Sequence, residues 1–156
     1  MKKKSFSVRI IEYLKELDIS AELMSKADLK EFKNSFVNSF TDDEKIKVVS
    51  LPDENHRYHN YLWHVFSYDE GKAIEGEKAA VEYDIINKKD AYIYIDDNDL
   101  LFLAQNVSLL SAEEIEKLCV NMKRKFMDIV VVSKDFSWTY CRTHEVDWLG
   151  PYFYKK

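Results

Sequence analysis

The sequence predicts an α+β fold: a mainly antiparallel sheet of two hairpins plus additional strands, with helices packed on one face. Three observations carry this. Two stretches, 91–106 and 129–144, alternate apolar residues on either side of a short polar break, the pattern of a strand that folds back on itself. One helical pattern separates them, and further helical patterns gather ahead of the first. A parallel sheet would instead need strand and helix in regular alternation.

Each element has its own signature. Ile10, Ile11, Leu14 and Leu17 recur at helical spacing, and Ser5 or Ser7 offers a cap, so residues 7–17 read as a first helix. Ile19, Ala21 and Leu23 alternate and predict a short strand. Ser25-Lys26-Ala27-Asp28 has the form of an acidic capping box ahead of Leu29, Phe32, Phe36, Val37 and Phe40, which make one apolar helical face. Thr41-Asp42-Asp43-Glu44 repeats that signature and predicts a short third helix ending at Leu51-Pro52.

Residues 58–68 are rich in aromatic and β-branched side chains and predict a strand closed by Asp69-Glu70-Gly71. In it Leu62, His64, Phe66 and Tyr68 would face one way, and Tyr61, Trp63, Val65 and Ser67 the other. Residues 77–86 fit a helix through Ala79, Ala80 and Tyr83. A hairpin then joins 91–95 to 100–106 across Asp96-Asp97-Asn98-Asp99, which reads as a solvated tip. Ser111-Ala112-Glu113-Glu114 caps a last helix with a stripe of Ile115, Leu118, Cys119, Met122 and Phe126. Residues 129–132 and 138–144 make the second hairpin.

A chain of 156 residues, 46% apolar, with three Gly and two Pro and no linker-like tract, reads as a single globular domain over 1–156. No run of apolar residues reaches the length of a membrane span. After Met1-Lys2-Lys3-Lys4, the charges of Arg9, Glu12, Lys15 and Glu16 interrupt any apolar core of a secretory signal. Cys119 and Cys141 lack metal-site or disulfide-framework spacing and read as two free, buried thiols in a reducing compartment, so the expected location is cytoplasmic.

The net charge of −5 is concentrated in residues 51–100, which hold 5 basic and 12 acidic residues. Such a field repels nucleic acid and attracts a basic protein partner; dispersed over solvated loops it would do neither. With Gly71, Gly76 and Gly150 as the only glycines, neither a P-loop nor a dinucleotide-binding loop can be written. G-x-S-x-G and H-E-x-x-H are absent too, and no cofactor is expected.

Four histidines remain as candidates for proton transfer or metal binding. His56 and His59 fall in a polar loop and have opposite strand parity, which argues against a metal cluster with His64. The stronger candidate site pairs His64 with His144 and Glu145, beside Trp63, Ser67, Thr143 and Trp148. An imidazole next to a carboxylate among rings suits acid–base chemistry, and equally a core histidine satisfied by Ser67, Thr143 or backbone. Cys141 and Ser67 are the nearby nucleophiles, and both fall out of phase with their neighbouring histidine along an extended strand. No catalytic role is assigned.

The blocks Tyr61-Leu62-Trp63-His64-Val65-Phe66-Ser67-Tyr68, Trp138-Thr139, Thr143-His144-Glu145 and Gly150-Pro151-Tyr152-Phe153 resemble an uncharacterised family of small bacterial proteins, mainly from Bacillus-like Firmicutes, that carries only a domain-of-unknown-function label. The resemblance covers nearly the whole chain. It implies that His64 and Thr143-His144-Glu145 belong to recurring blocks, and it implies no activity.

Two functional classes follow. The favoured one is a protein-binding domain, immunity- or antitoxin-like, that masks a basic partner through its acidic surface and its Tyr and Trp side chains. The alternative is a small hydrolase or ligand-sensing protein using His64, His144 and Glu145. Residues 136–154 hold seven of the 22 aromatic residues, which adds self-association through this C-terminal segment as a further expectation.

Overall fold

The computed structural model describes residues 2–40, 62–67, 73–145 and 148–156. Among them, seven strands form one sheet: β1 (Ser20–Leu23), β2 (Ile74–Glu75), β3 (Ala91–Ile95), β4 (Leu100–Gln105), β5 (Ile129–Ser133), β6 (Trp138–Arg142) and β7 (Tyr152–Lys155). The order is β1-β4-β3-β5-β6-β7-β2, and every pairing is antiparallel. Both predicted hairpins are present, as β3–β4 and β5–β6. Five α-helices accompany them among the described residues: α1 (Phe6–Glu16), α2 (Lys26–Phe40), α3 (His64–Ser67), α4 (Glu77–Ile85) and α5 (Ala112–Asn121).

The caps form where the sequence places them. Ser5 Oγ accepts from the Val8 amide, and Ser25 and Asp28 exchange side-chain and backbone hydrogen bonds reciprocally. Ser111 Oγ accepts from the Glu114 amide, and Asp84 on α4 accepts from the Ala112 amide, so two otherwise orphaned donors of α5 are satisfied. Lys88 closes the C-terminal end of α4, donating from Nζ to the carbonyls of Tyr83 and Asp84.

Period-two alternation splits the sheet's side chains between two cores. On one face Ile93, Phe102, Val131 and Tyr140 pack with Ile10 and Leu14 of α1, Tyr83 of α4 and Ile115 and Leu118 of α5. On the other, Tyr94, Val130, Cys141 and Tyr152 meet Phe32, Phe36 and Phe40 of α2 with Trp63, Val65 and Phe66. The α+β class stands, but the helices occupy both faces rather than one. The cause lies in the central strands: every residue of β5 and β6 is buried, and a sheet apolar on both sides must be covered on both.

Three local expectations change. Residues 64–67 form a helical turn, not a strand. Leu62, Trp63, Val65 and Phe66 are all buried, and the i, i+1, i+3, i+4 spacing places them on one face of a turn that the aromatic and β-branched composition disguised. Phe126 leaves the α5 stripe and is 68% exposed, because α5 ends at Asn121 and Lys123 takes the left-handed conformation. The second hairpin stops at Arg142, so His144 lies beyond it. The helix expected after Thr41, the first residues of the 58–68 segment, and His56 and His59 fall outside the described residues.

Arg142 shows what the end of β6 anchors. Its guanidinium, 3% exposed, forms a two-pronged ion pair with Glu116 of α5 at 2.9 Å and donates to the carbonyls of Lys125 and Met127 at 2.8 and 2.7 Å. Both thiols are free and buried, and burial pushes Cys119 up to about 11. Among the described residues no helix is long and apolar enough to cross a membrane.

Phe36 tests the second core most directly. It is fully buried between Phe40, 4.9 Å away, and Phe32 and Phe66, each 6.2 Å away between ring centroids. Phe36→Ala is expected to lower unfolding free energy in urea by about 3–5 kcal/mol. A loss below about 1 kcal/mol would mean that this face is not packed as described.

Candidate functional site

The sheet's register places the site. Ile95 of β3 pairs with Ile129 of β5, and Ile129 pairs with Arg142 of β6, so Asp96, Asp128 and Thr143 follow one another across the same end of the sheet. The chain immediately beyond these strands supplies the polar groups.

Asp128 is the centre. Its side chain is 4% exposed, and its Oδ1 accepts from the His144 backbone amide. The two carboxylate oxygens also lie 3.0 and 3.1 Å from His144 Nδ1. On its other side the imidazole presents Nε2 to Glu145 Oε1 at 3.8 Å. In the tautomer that carries its proton on Nδ1, the imidazole donates to Asp128 and Nε2 is the nitrogen left to accept a proton. Burial pushes the Asp128 carboxyl above its ordinary value, while the adjacent His144 and the Trp63 side chain act in the opposite sense.

Trp63 links the two predicted histidines. Its ring centroid is 4.3 Å from that of His64 and 5.8 Å from that of His144, both edge-on, and it stacks on Tyr152 at 6.1 Å. Trp63 thus touches both His64 and His144, and Glu145 lies beside His144. The route differs from the expected one. His144 does not share the face of Arg142, because β6 has ended; it turns toward the core that holds Trp63, while Arg142 points to α5.

Thr143 and Trp148 have different roles from those expected. Thr143 is buried, and its hydroxyl donates to the Leu149 carbonyl. Trp148 does not cover the imidazoles as an inward ring would; it is 87% exposed. Ser67 is the last residue of α3. Cys141 is fully buried beside Thr139 Oγ1 at 3.8 Å, and burial raises its thiol, so it is not an activated nucleophile.

Sequence reasoning missed Asp128 and its neighbours. Tyr94 donates to Asp96 at 3.0 Å and to Asp99 at 2.6 Å, and Lys33 of α2 reaches Asp99 at 2.7 Å. The 96–99 turn is thus a braced polar corner rather than a simply solvated tip. Burial pushes Asp96 up to about 6, with the Tyr94 hydrogen bond opposing and the Asp128 charge adding. The available signal was a carboxylate bordering each apolar run: antiparallel pairing brings the residue after 91–95 and the residue before 129–132 to the same end.

Asp96 gives a pH prediction. Its native carboxyl titrates near 6 and its ordinary value is 3.8, so the folded state holds the proton more tightly. The stability it contributes is complete below the lower value and is lost as pH rises through the higher one. Asp96→Asn should therefore gain on the wild type between about pH 4 and pH 6.5 in urea denaturation. A difference that stays constant over that range contradicts this assignment.

Among groups of His, Cys, Asp and Glu in the described residues, none is arranged to hold a metal ion. No curated protein matches the chain, and no solved structure does. One family does match, over residues 8–153, and the blocks around His64 and His144 lie inside that span. The chain belongs to the family described as Domain of unknown function (DUF4275).

Proposed function

We propose that this is a protein-binding domain whose anchor is Trp148 and whose partner is basic, in the manner of an immunity or antitoxin protein. The observation that carries the reading is a tryptophan 87% exposed on a turn that is tied at several points. The amides of Trp148 and Leu149 donate to the Glu145 carbonyl at 2.9 and 2.8 Å, Thr143 holds the Leu149 carbonyl, and the Gly150 amide donates to Glu75 at 3.1 Å. A large ring held out on a braced turn loses little conformational freedom on binding, which is the property of an interface hot spot. Leu149, 36% exposed, extends the apolar surface.

The surroundings select the partner's charge. Glu145 and Glu75 lie at the turn, Asp147 precedes Trp148 in sequence, and the acidic excess of residues 51–100 has the same sign. An acidic rim around an aromatic anchor speeds and selects a basic partner.

A second reading has its own observation. Asp128 and Glu145 flank the two ring nitrogens of His144, an arrangement that would suit a hydrolytic or ligand-sensing site at His64, His144 and Glu145. Thr143 already spends its hydroxyl proton on Leu149, and the Cys141 thiol is raised by burial, so binding is the reading better supported.

A pull-down from the native host with wild type, Trp148→Ala and His144→Gln separates these. The binding reading expects one basic protein retained at low salt, released near 0.5 M salt, and weakened by about 2 kcal/mol or more in Trp148→Ala. Equal capture by wild type and Trp148→Ala overturns it, as does concentration-dependent sedimentation abolished by that change, which would make the partner a second copy. Loss confined to His144→Gln favours the second reading.

A further inference from the structure

A large cavity lies not at His144 but at the other end of the sheet. It has a volume of about 750 Å³ and lies where β5 ends at Ser133 and β6 begins at Trp138. Five strand residues separate the two ends, about 17 Å at the rise of a β-strand. Its size falls within the range of small-molecule sites.

The walls carry the opposite charge from the rest of the protein. Lys89, Lys134 and Lys155 line the cavity against two aspartates, in a chain whose net charge is −5. Both carboxylates already serve the backbone: Asp90 Oδ1 accepts from the Asn106 amide at 3.0 Å, and Asp135 Oδ1 from the Ser137 amide at 3.1 Å. None of the three ammonium groups forms an ion pair among the described residues. Three lysines against two aspartates leave the lining with a net charge of +1, against −5 for the chain, and the potential in the concavity is positive to that extent.

The remaining walls suit a polar body. Asn87, Asn106, Ser137 and Trp138 are also among the lining residues. The rims are held by the turn itself, since Ser133 Oγ accepts from the amides of Ser137 and Trp138 at 2.8 and 3.1 Å, and the Lys134 amide donates to the Asp90 carbonyl at 3.1 Å. The concave shape thus exists before any ligand arrives.

We propose that this cavity binds a small, multiply charged anion, a phosphorylated or polycarboxylate metabolite. Lysine meets such groups as a point charge, and three of them accommodate two or more negative charges while the amides orient the body. The site is separate from the Trp148 turn, so it stands or falls independently of the protein-binding reading.

The test is ¹H–¹⁵N NMR of the full chain titrated separately with inorganic pyrophosphate, citrate and ADP. The proposal expects saturable shifts at the amides of Asn87, Lys89, Asn106 and Ser137 and at the Trp138 indole. Tighter binding of pyrophosphate or ADP marks a phosphorylated ligand, and tighter binding of citrate marks a polycarboxylate. Lys134→Ala/Lys155→Ala should weaken binding by about tenfold or more, and Lys2→Ala/Lys3→Ala/Lys4→Ala should leave it unchanged. Three results would overturn the proposal: no shifts with any probe at about 10 mM, shifts spread evenly over every lysine-bearing surface, or undiminished binding by the Lys134/Lys155 variant.

Discussion

A buried carboxylate at the mouth of an apolar sheet is the constraint from which the conformation at this end of the protein follows. Asp128 precedes five buried residues of β5 and is itself almost fully enclosed. A charge in such a place is costly unless donors answer it. The amide and the imidazole of His144 do so, and the chain leaving β6 must therefore return over Asp128. The path of the next residues is then narrow. Gly150 takes φ +82°, and a Cβ there would come within 2.8 Å of Thr143 Cγ2, so the glycine is what lets the turn close against Thr143. One consequence of that closure is the outward position of Trp148.

The two ends of the sheet are chemically opposed. At one end stand Asp96, Asp99, Asp128 and Glu145, with Lys33 as the cation that reaches Asp99. Hydrogen bonds from Lys33 and Tyr94 outweigh burial and hold Asp99 below its ordinary value. At the other end, Lys89, Lys134 and Lys155 surround the large cavity. A seven-stranded sheet covered by helices on both faces leaves its ends as the places where polar loops cluster. The sheet separates the Trp148 turn from the lysine-lined cavity, so the two proposed sites can be tested independently.

Much of this was legible in the residues. Serine caps followed by acidic side chains, the stripe Leu29-Phe32-Phe36-Phe40 and the alternation in 91–105 report local geometry directly, so the helices and hairpins were readable. The 62–67 turn was not, since four buried apolar residues in six satisfy either period and only tertiary packing decides. The candidate site was readable in part. His64, His144 and Trp63 were visible as distinctive residue types, whereas Asp128 was one acidic residue among 28 until strand register brought it to His144. Trp148 was expected beside the histidines, and it is exposed while Trp138, Tyr140, Tyr152 and Phe153 are buried. Whether a ring packs inward depends on strand phase, and strand phase ends at Arg142.

The central claim is that Asp128 organises the turn bearing Trp148, and backbone hydrogen exchange in Asp128→Ala tests it most directly. The account predicts that the Leu149 and Gly150 amides, bonded to Glu145 and Glu75 in the wild type, exchange at least about tenfold faster in the variant. The Val131 amide, in the centre of the sheet, should change much less. Unchanged protection at Leu149 and Gly150, or equal acceleration at Val131, would contradict it.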